Sequence, residues 1–114
     1  MELPQATLLL RIFLGETDRH GHQPLYEVIV LKAREMHLSG ATVIRCSMGY
    51  GKSSRLHTTK ILRLSDDLPV IVEIVDTEEK INAFLPVLES MMQAGLVTLE
   101  KVRTLFYKGA PRPA

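Results

Sequence analysis

Apolar and polar positions alternate along the chain in blocks that name their own elements. Residues Thr7 to Leu14, TLLLRIFL, are a short apolar run closed by the polar, two-glycine segment GETDRHGHQ, which is the pattern of a mostly buried first strand. Pro24 suits the first position of a helix, where its missing N–H leaves nothing unpaired. The following LYEVIVLKAREM puts Leu25, Val28, Ile29 and Met36 on one face. Gly40 is expected to stop that helix, and ATVIRCSM supplies β-branched residues for a second strand. KILRL reads as a hairpin arm and LPVIVEIV as a third strand. Asp76 and Glu79 then stand at capping-box spacing, with Asp in place of Ser or Thr. Behind them Ile81, Phe84, Leu85, Leu88 and Met92 form the apolar stripe of a second helix. Pro86 falls inside it and is expected to bend it, at a cost of about 3 kcal/mol. Gly95 is expected to end the helix, LVTLEKVRTLFY to form a long fourth strand, and the tail, residues 109–114, to be disordered.

The order is βαβ-βαβ, which predicts an α+β, ferredoxin-like sandwich: a four-stranded antiparallel sheet with two helices on one face. Apolar residues occur at both parities of the first and third strands, so the second face of the sheet also asks for cover. Self-association is the simplest source of that cover for a chain of 114 residues.

Composition narrows the function classes. With 46% hydrophobic residues, the chain suits one compact domain, taken as residues 1–108. A net charge of +1 gives no global basic excess of the kind that nucleic acid partners require. No apolar run approaches the roughly 20 residues of a membrane span. The single Cys46 cannot make an internal disulfide, which together with the lack of a signal-peptide pattern points to the cytoplasm. Charge is instead distributed locally: Met36 to Ser65 holds no Asp or Glu, yet carries Arg45, Lys52, Arg55, Lys60 and Arg63.

Within that window lies SMGYGKSSR, Ser47 to Arg55. Gly51, Lys52 and Ser53 end it like the phosphate-binding pattern G-x-x-x-x-G-K-[ST], but Cys46 stands where the opening glycine belongs and SRLHTTKIL is a poor following helix. A nucleoside triphosphatase of that class is therefore not expected. The chemistry persists without the motif. Gly49 and Gly51 allow close approach of backbone N–H groups to an anion, while Lys52 and Arg55 add a point charge and a planar fork. A polar bend with solvated cations is the plain alternative. His57 in the same segment is either an ordinary loop residue or an anion contact that can change charge near neutrality.

Other polar groups are less organised. His20 and His22, with Glu16 and Asp18, carry metal-ligand chemistry, but a turn before a helix explains GETDRHGH as well. Cys46 has Arg45 beside it, yet neighbouring strand residues point to opposite faces, so a buried thiol is the better reading than a nucleophile. Neither a catalytic triad nor a pair of carboxylates at a telling spacing is found, and no catalytic residue is assigned.

The segments GETD, PLYEVIVLKAREMHLSGATVIR, MGYGKSSRLHTTKILRLSDDLPVIVEIVD and FLPVLESMMQAGLVTLE together resemble uncharacterised-domain family 190, a branch of the PII-like signalling proteins. The resemblance covers nearly the whole chain outside the C-terminal tail. It implies a trimer of ferredoxin-like subunits, a projecting T-loop at about residues 49–67, and adenine nucleotides bound in clefts between subunits. Gly49, Tyr50, Gly51 and Lys52 look like the glycine–aromatic–glycine–basic stretch at the base of that loop, and Arg103 resembles a phosphate-binding arginine of the last strand. The glycine-rich, lysine-containing loop that follows the second helix in PII proteins has no match in MMQAGLVTLEK, which favours AMP or ADP over ATP. Gene neighbourhoods in the family imply a membrane-transport partner such as a CrcB-type fluoride exporter.

Three readings follow. The first is a non-enzymatic regulator that binds an adenine nucleotide, with or without magnesium, through Gly49 to Arg55, Arg45, His57 and Arg103. The second is a metal-binding trimer like the CutA proteins, using His20 and His22. The third is a small nucleotide-hydrolysing enzyme built on Lys52 and Arg55.

Overall fold

The computed structural model describes residues 6–50, 57–58 (backbone only) and 68–109. Strand β1 runs over Ala6–Gly15, helix α1 over Leu25–Glu35, β2 over Thr42–Arg45, β3 over Pro69–Asp76, α2 over Glu78–Met91 and β4 over Leu96–Arg103. The sheet order is β2-β3-β1-β4 and every pairing is antiparallel. This is the ferredoxin-like arrangement expected from the βαββαβ order, with β1 and β3 in the middle. Two further two-residue ladders pair Arg19–His20 with Gln23–Pro24 and Met48–Gly49 with His57–Thr58.

The two-residue period of a strand explains where the core sits. Leu10, Ile12 and Leu14 of β1 face Ile74, Val72 and Val70 of β3 across the register, and all are buried. They receive Leu25, Ile29 and Ala33 of α1 and Ile81, Phe84, Leu88 and Met91 of α2. Each large side chain withdrawn from water contributes about 1.5–3 kcal/mol, so this single layer holds the helices to the sheet. Residues of opposite parity, Leu9, Phe13, Ile71 and Val75, are only half-buried, because among the described residues no element covers the second face. On that face Arg11 bonds to Glu73 at 2.7 Å and pairs with Glu100 at 3.3 Å, which joins three neighbouring strands. Among the described residues no helix is long and apolar enough to cross a membrane.

Several boundaries differ from the sequence reading for identifiable reasons. Pro24 is the residue before α1, pairs with Arg19 in the small ladder, and leaves Leu25 as the first helical residue. Gly40 does not end α1. The helix closes on His37, which adopts φ 61°; His37 N–H donates to Arg34 and Leu38 N–H to Ala33, the bond pattern of a left-handed C-terminal cap. The Nζ of Lys80 donates to the His37 carbonyl at 3.0 Å, so the first turn of α2 helps hold the end of α1. Thr77, not Asp76, caps α2, accepting from the Lys80 N–H at 3.2 Å. Asp76 is fully buried and its carboxylate accepts from the Ser39 and Thr77 N–H groups, each at 2.7 Å. Pro86 lies on the exposed side of α2 without ending it. KILRL lies outside the described residues. Strand β4 stops at Arg103; the chain continues to Tyr107, whose hydroxyl donates to the Ser39 carbonyl.

Gly95 serves the turn into β4 rather than the end of α2, with φ 122°. A Cβ there would stand 2.6 Å from the Phe13 carbonyl oxygen and 2.7 Å from the terminal carbon of Met92. Strained backbone and a backbone collision act together, so Gly95→Ala is expected to destabilise the fold by about 1–3 kcal/mol. Thermal unfolding would register this as a Tm lower by about 5 °C or more; an unchanged Tm would show that the turn relaxes without loss.

Candidate functional site

The acid-free cationic segment leaves the sheet at one corner. Arg45 is the last residue of the edge strand β2 and pairs with Val70. Its guanidinium is largely exposed and lies 3.2 Å from the Glu16 carboxylate. A side-chain hydrogen bond with Tyr26, followed by the charge of Glu16, raises the Arg45 pKa above its ordinary value. Glu16 is fixed in turn, because its backbone N–H donates to the Leu68 carbonyl at 2.8 Å. The Cys46 N–H donates to the Pro69 carbonyl at 2.9 Å, and the Cys46 thiol is free and half-buried. The entry of the segment at Arg45 and its return at Leu68 and Pro69 are thus tied together.

Beyond this root, Met48 pairs with Thr58 and Gly49 with His57. A Cβ on Gly49 would lie 2.8 Å from Cγ of Pro69, so glycine here answers to the proline ring packed on it. Tyr50 projects into solvent at 69% exposure. Gly51, Lys52, Ser53 and Arg55 lie outside the described residues, and His57 is placed only by its backbone pairing. In sequence, Lys52, Ser53 and Arg55 fall between the two arms of this ladder.

Arg103 is not part of this corner. It pairs with Ala6, whereas the row that ends β2 runs from Arg45 through Val70 to Leu14. Eight residues of β1 at about 3.4 Å each separate the two rows, or about 27 Å along the strand. Arg45 and Arg103 also stand on opposite edge strands, so one copy of the chain cannot close both on one phosphate.

His20 and His22 are exposed on the small ladder that turns at Gly21, φ 65°. The Asp18 carboxylate is engaged by the Gly15 N–H at 2.9 Å. Among the described residues no three His, Cys, Asp or Glu side chains are grouped to hold a metal ion. The sequence offers Glu16, in the turn after the first strand, as a metal-ligand candidate with His20 and His22 and not as a partner of Arg45. Its approach to Arg45 is a tertiary contact, and no spacing in the sequence signals it.

The protein family described as "Uncharacterized ACR, COG1993" (DUF190) matches residues 7–104. The chain belongs to the DUF190 family. A UPF0166 protein of Aquifex aeolicus is 42% identical over 98 residues, which covers 86% of this chain and 92% of the relative. A UPF0166 protein of Methanocaldococcus jannaschii is 38% identical over 102 residues, 89% of this chain and 92% of that one. In fold, this DUF190 protein is similar to CPII, a nitrogen regulatory PII-like protein from Thiomonas intermedia K12, solved with ADP, AMP and bicarbonate. That likeness has a TM-score of 0.58 at 17% identity and covers 87% of this chain and 88% of the other. A second structure of CPII, with ADP and bicarbonate, gives 0.54 at 18% identity, covering 87% and 88% of the two chains. The architecture is therefore PII-like.

The Gly49–Pro69 contact yields a local test. Gly49→Ala must push the proline ring aside, which strains the adjacent Cys46–Pro69 backbone bond. Hydrogen–deuterium exchange at the Cys46 amide is expected to quicken about fivefold, equivalent to about 1 kcal/mol of lost protection. An unchanged rate would mean that the ring yields freely.

Proposed function

We propose that this DUF190 protein is a PII-like regulator that binds a small anionic ligand, an adenine nucleotide with AMP or ADP preferred over ATP, in clefts between copies of the chain. The observation that carries this reading is the fold shared over 87% of the chain with a PII-like protein that holds ADP, AMP and bicarbonate. The acid-free segment Met36 to Ser65 supports it, since the sequence concentrates cations directly after Arg45, the last residue of β2. Phosphate contacts fall to Gly49, Tyr50, Gly51, Lys52, Ser53, Arg55 and His57 on that side, with Arg45 at the root. Arg103 is contributed by a neighbouring copy, because its own copy holds it at the far end of the sheet.

Assembly as a homotrimer uses the sheet face opposite the helices, where Leu9, Phe13, Ile71 and Val75 are half-buried and Ile44 and Leu96 exposed. The protein acts in the cytoplasm as a signal rather than a catalyst. Ligand contact restricts the T-loop and so changes the surface offered to a protein partner, for which a membrane transporter of the CrcB type is the candidate.

Calorimetric titration with AMP, ADP, ATP and bicarbonate, with and without magnesium, alongside mass in solution, tests the reading. Saturable binding of ADP or AMP by a trimer is expected. Lys52→Ala combined with Arg55→Ala should weaken it at least tenfold, as the loss of charge-assisted contacts requires, and leave the assembly intact. Unchanged affinity in that variant would remove the phosphate role of the segment.

A further inference from the structure

The fold carries an acid onto a segment from which the sequence excludes acids. Glu16 reaches Arg45 from the β1–α1 connection, and its backbone bond to Leu68 holds its main chain beside the end of β2. A carboxylate is itself an oxyanion, so Arg45 already holds a group of the class its site would bind. The hold is loose. Its length of 3.2 Å exceeds the roughly 2.7–2.9 Å of a tight charge-assisted bond, and 65% of the arginine side chain is exposed. A phosphate, with more charge and three oxygens, accepts from the same guanidinium on better terms. Tyr26 is the other side-chain partner of Arg45.

We propose that Glu16 is a built-in competitor for the oxyanion bound by Arg45, whose entry replaces the Glu16–Arg45 pair with an Arg45–ligand pair. This rests on the reading of Arg45 as an anion contact. It makes Glu16 a residue that sets affinity and selects against weakly charged anions, because a ligand must outbid a carboxylate to enter.

The test is a double-mutant cycle on the full-length protein, with ADP, AMP and bicarbonate titrated separately into wild type, Glu16→Gln, Arg45→Gln and the double variant. Glu16→Gln keeps the side chain's size and the backbone bond to Leu68 while removing its charge. It is expected to tighten the ligand that meets Arg45 by about two- to fivefold, the range that an exposed ion pair spans. Arg45→Gln should weaken the same ligand, and in that background Glu16→Gln should bring no gain. Whichever of the nucleotide phosphate or bicarbonate shows this pattern is the Arg45 ligand. Binding by wild type with unchanged or weaker affinity in Glu16→Gln overturns the competition and leaves the proposed function standing. So does a gain that persists in Arg45→Gln, which would be a general charge effect. A wild type that binds none of the three ligands overturns both.

Discussion

Strand β1 is joined by eight consecutive residue pairs to β3 on one side and by eight more to β4 on the other. Because it is central, its even-numbered residues from Leu10 to Leu14 have no route to water except through the helices, and its odd-numbered residues have no cover on the other face among the described residues. This imbalance organises the molecule. The helix side is a dry layer that fixes α1 and α2, while the other side is an apolar surface with one arginine and two carboxylates set across β3, β1 and the edge strand β4. The hydrogen bond that Arg11 donates to Glu73 raises the Arg11 pKa, with the charges of Glu73 and Glu100 adding to the effect, so the guanidinium stays charged. Exposed pairs of this kind stabilise a monomer little, but they let the face be covered without leaving a lone charge behind.

The same sheet sets what can be read from each corner. Short β2 ends beside the return of the chain at Pro69, which brings Arg45, Tyr26, Glu16 and the Met48–Gly49 ladder into one neighbourhood. The end of β4 lies at the opposite edge and the opposite end. A function that needs both corners is written into a pair of chains and not into one.

Much of this was legible in the sequence where a period was available. The alternation in β1 and β3 and the stripe of α2 gave the elements, and their order gave the topology. What escaped was chosen by hydrogen bonds between distant segments. His37 ends α1 in a conformation usually left to glycine, with support from Lys80. Asp76 left the capping position to hold Ser39, so Thr77 took its place. Gly95 is required by the Phe13 carbonyl, a neighbour that local pattern does not reveal. The candidate site divides in the same way. Its cations were visible as a run without acids, whereas Glu16 enters that run only through folding.

The small ladder at Gly49 and His57 alters the entropy of anything that happens above it. Between Gly49 and Pro69 the chain has nineteen residues, numbers 50–68, but the ladder leaves only seven, numbers 50–56, to be closed at the tip. Loop-closure entropy grows with the logarithm of length, so the shorter closure is easier by about 0.9 kcal/mol. Two pairs of backbone residues therefore shorten the span that remains to be closed, a difference equivalent to a factor of about four in closure.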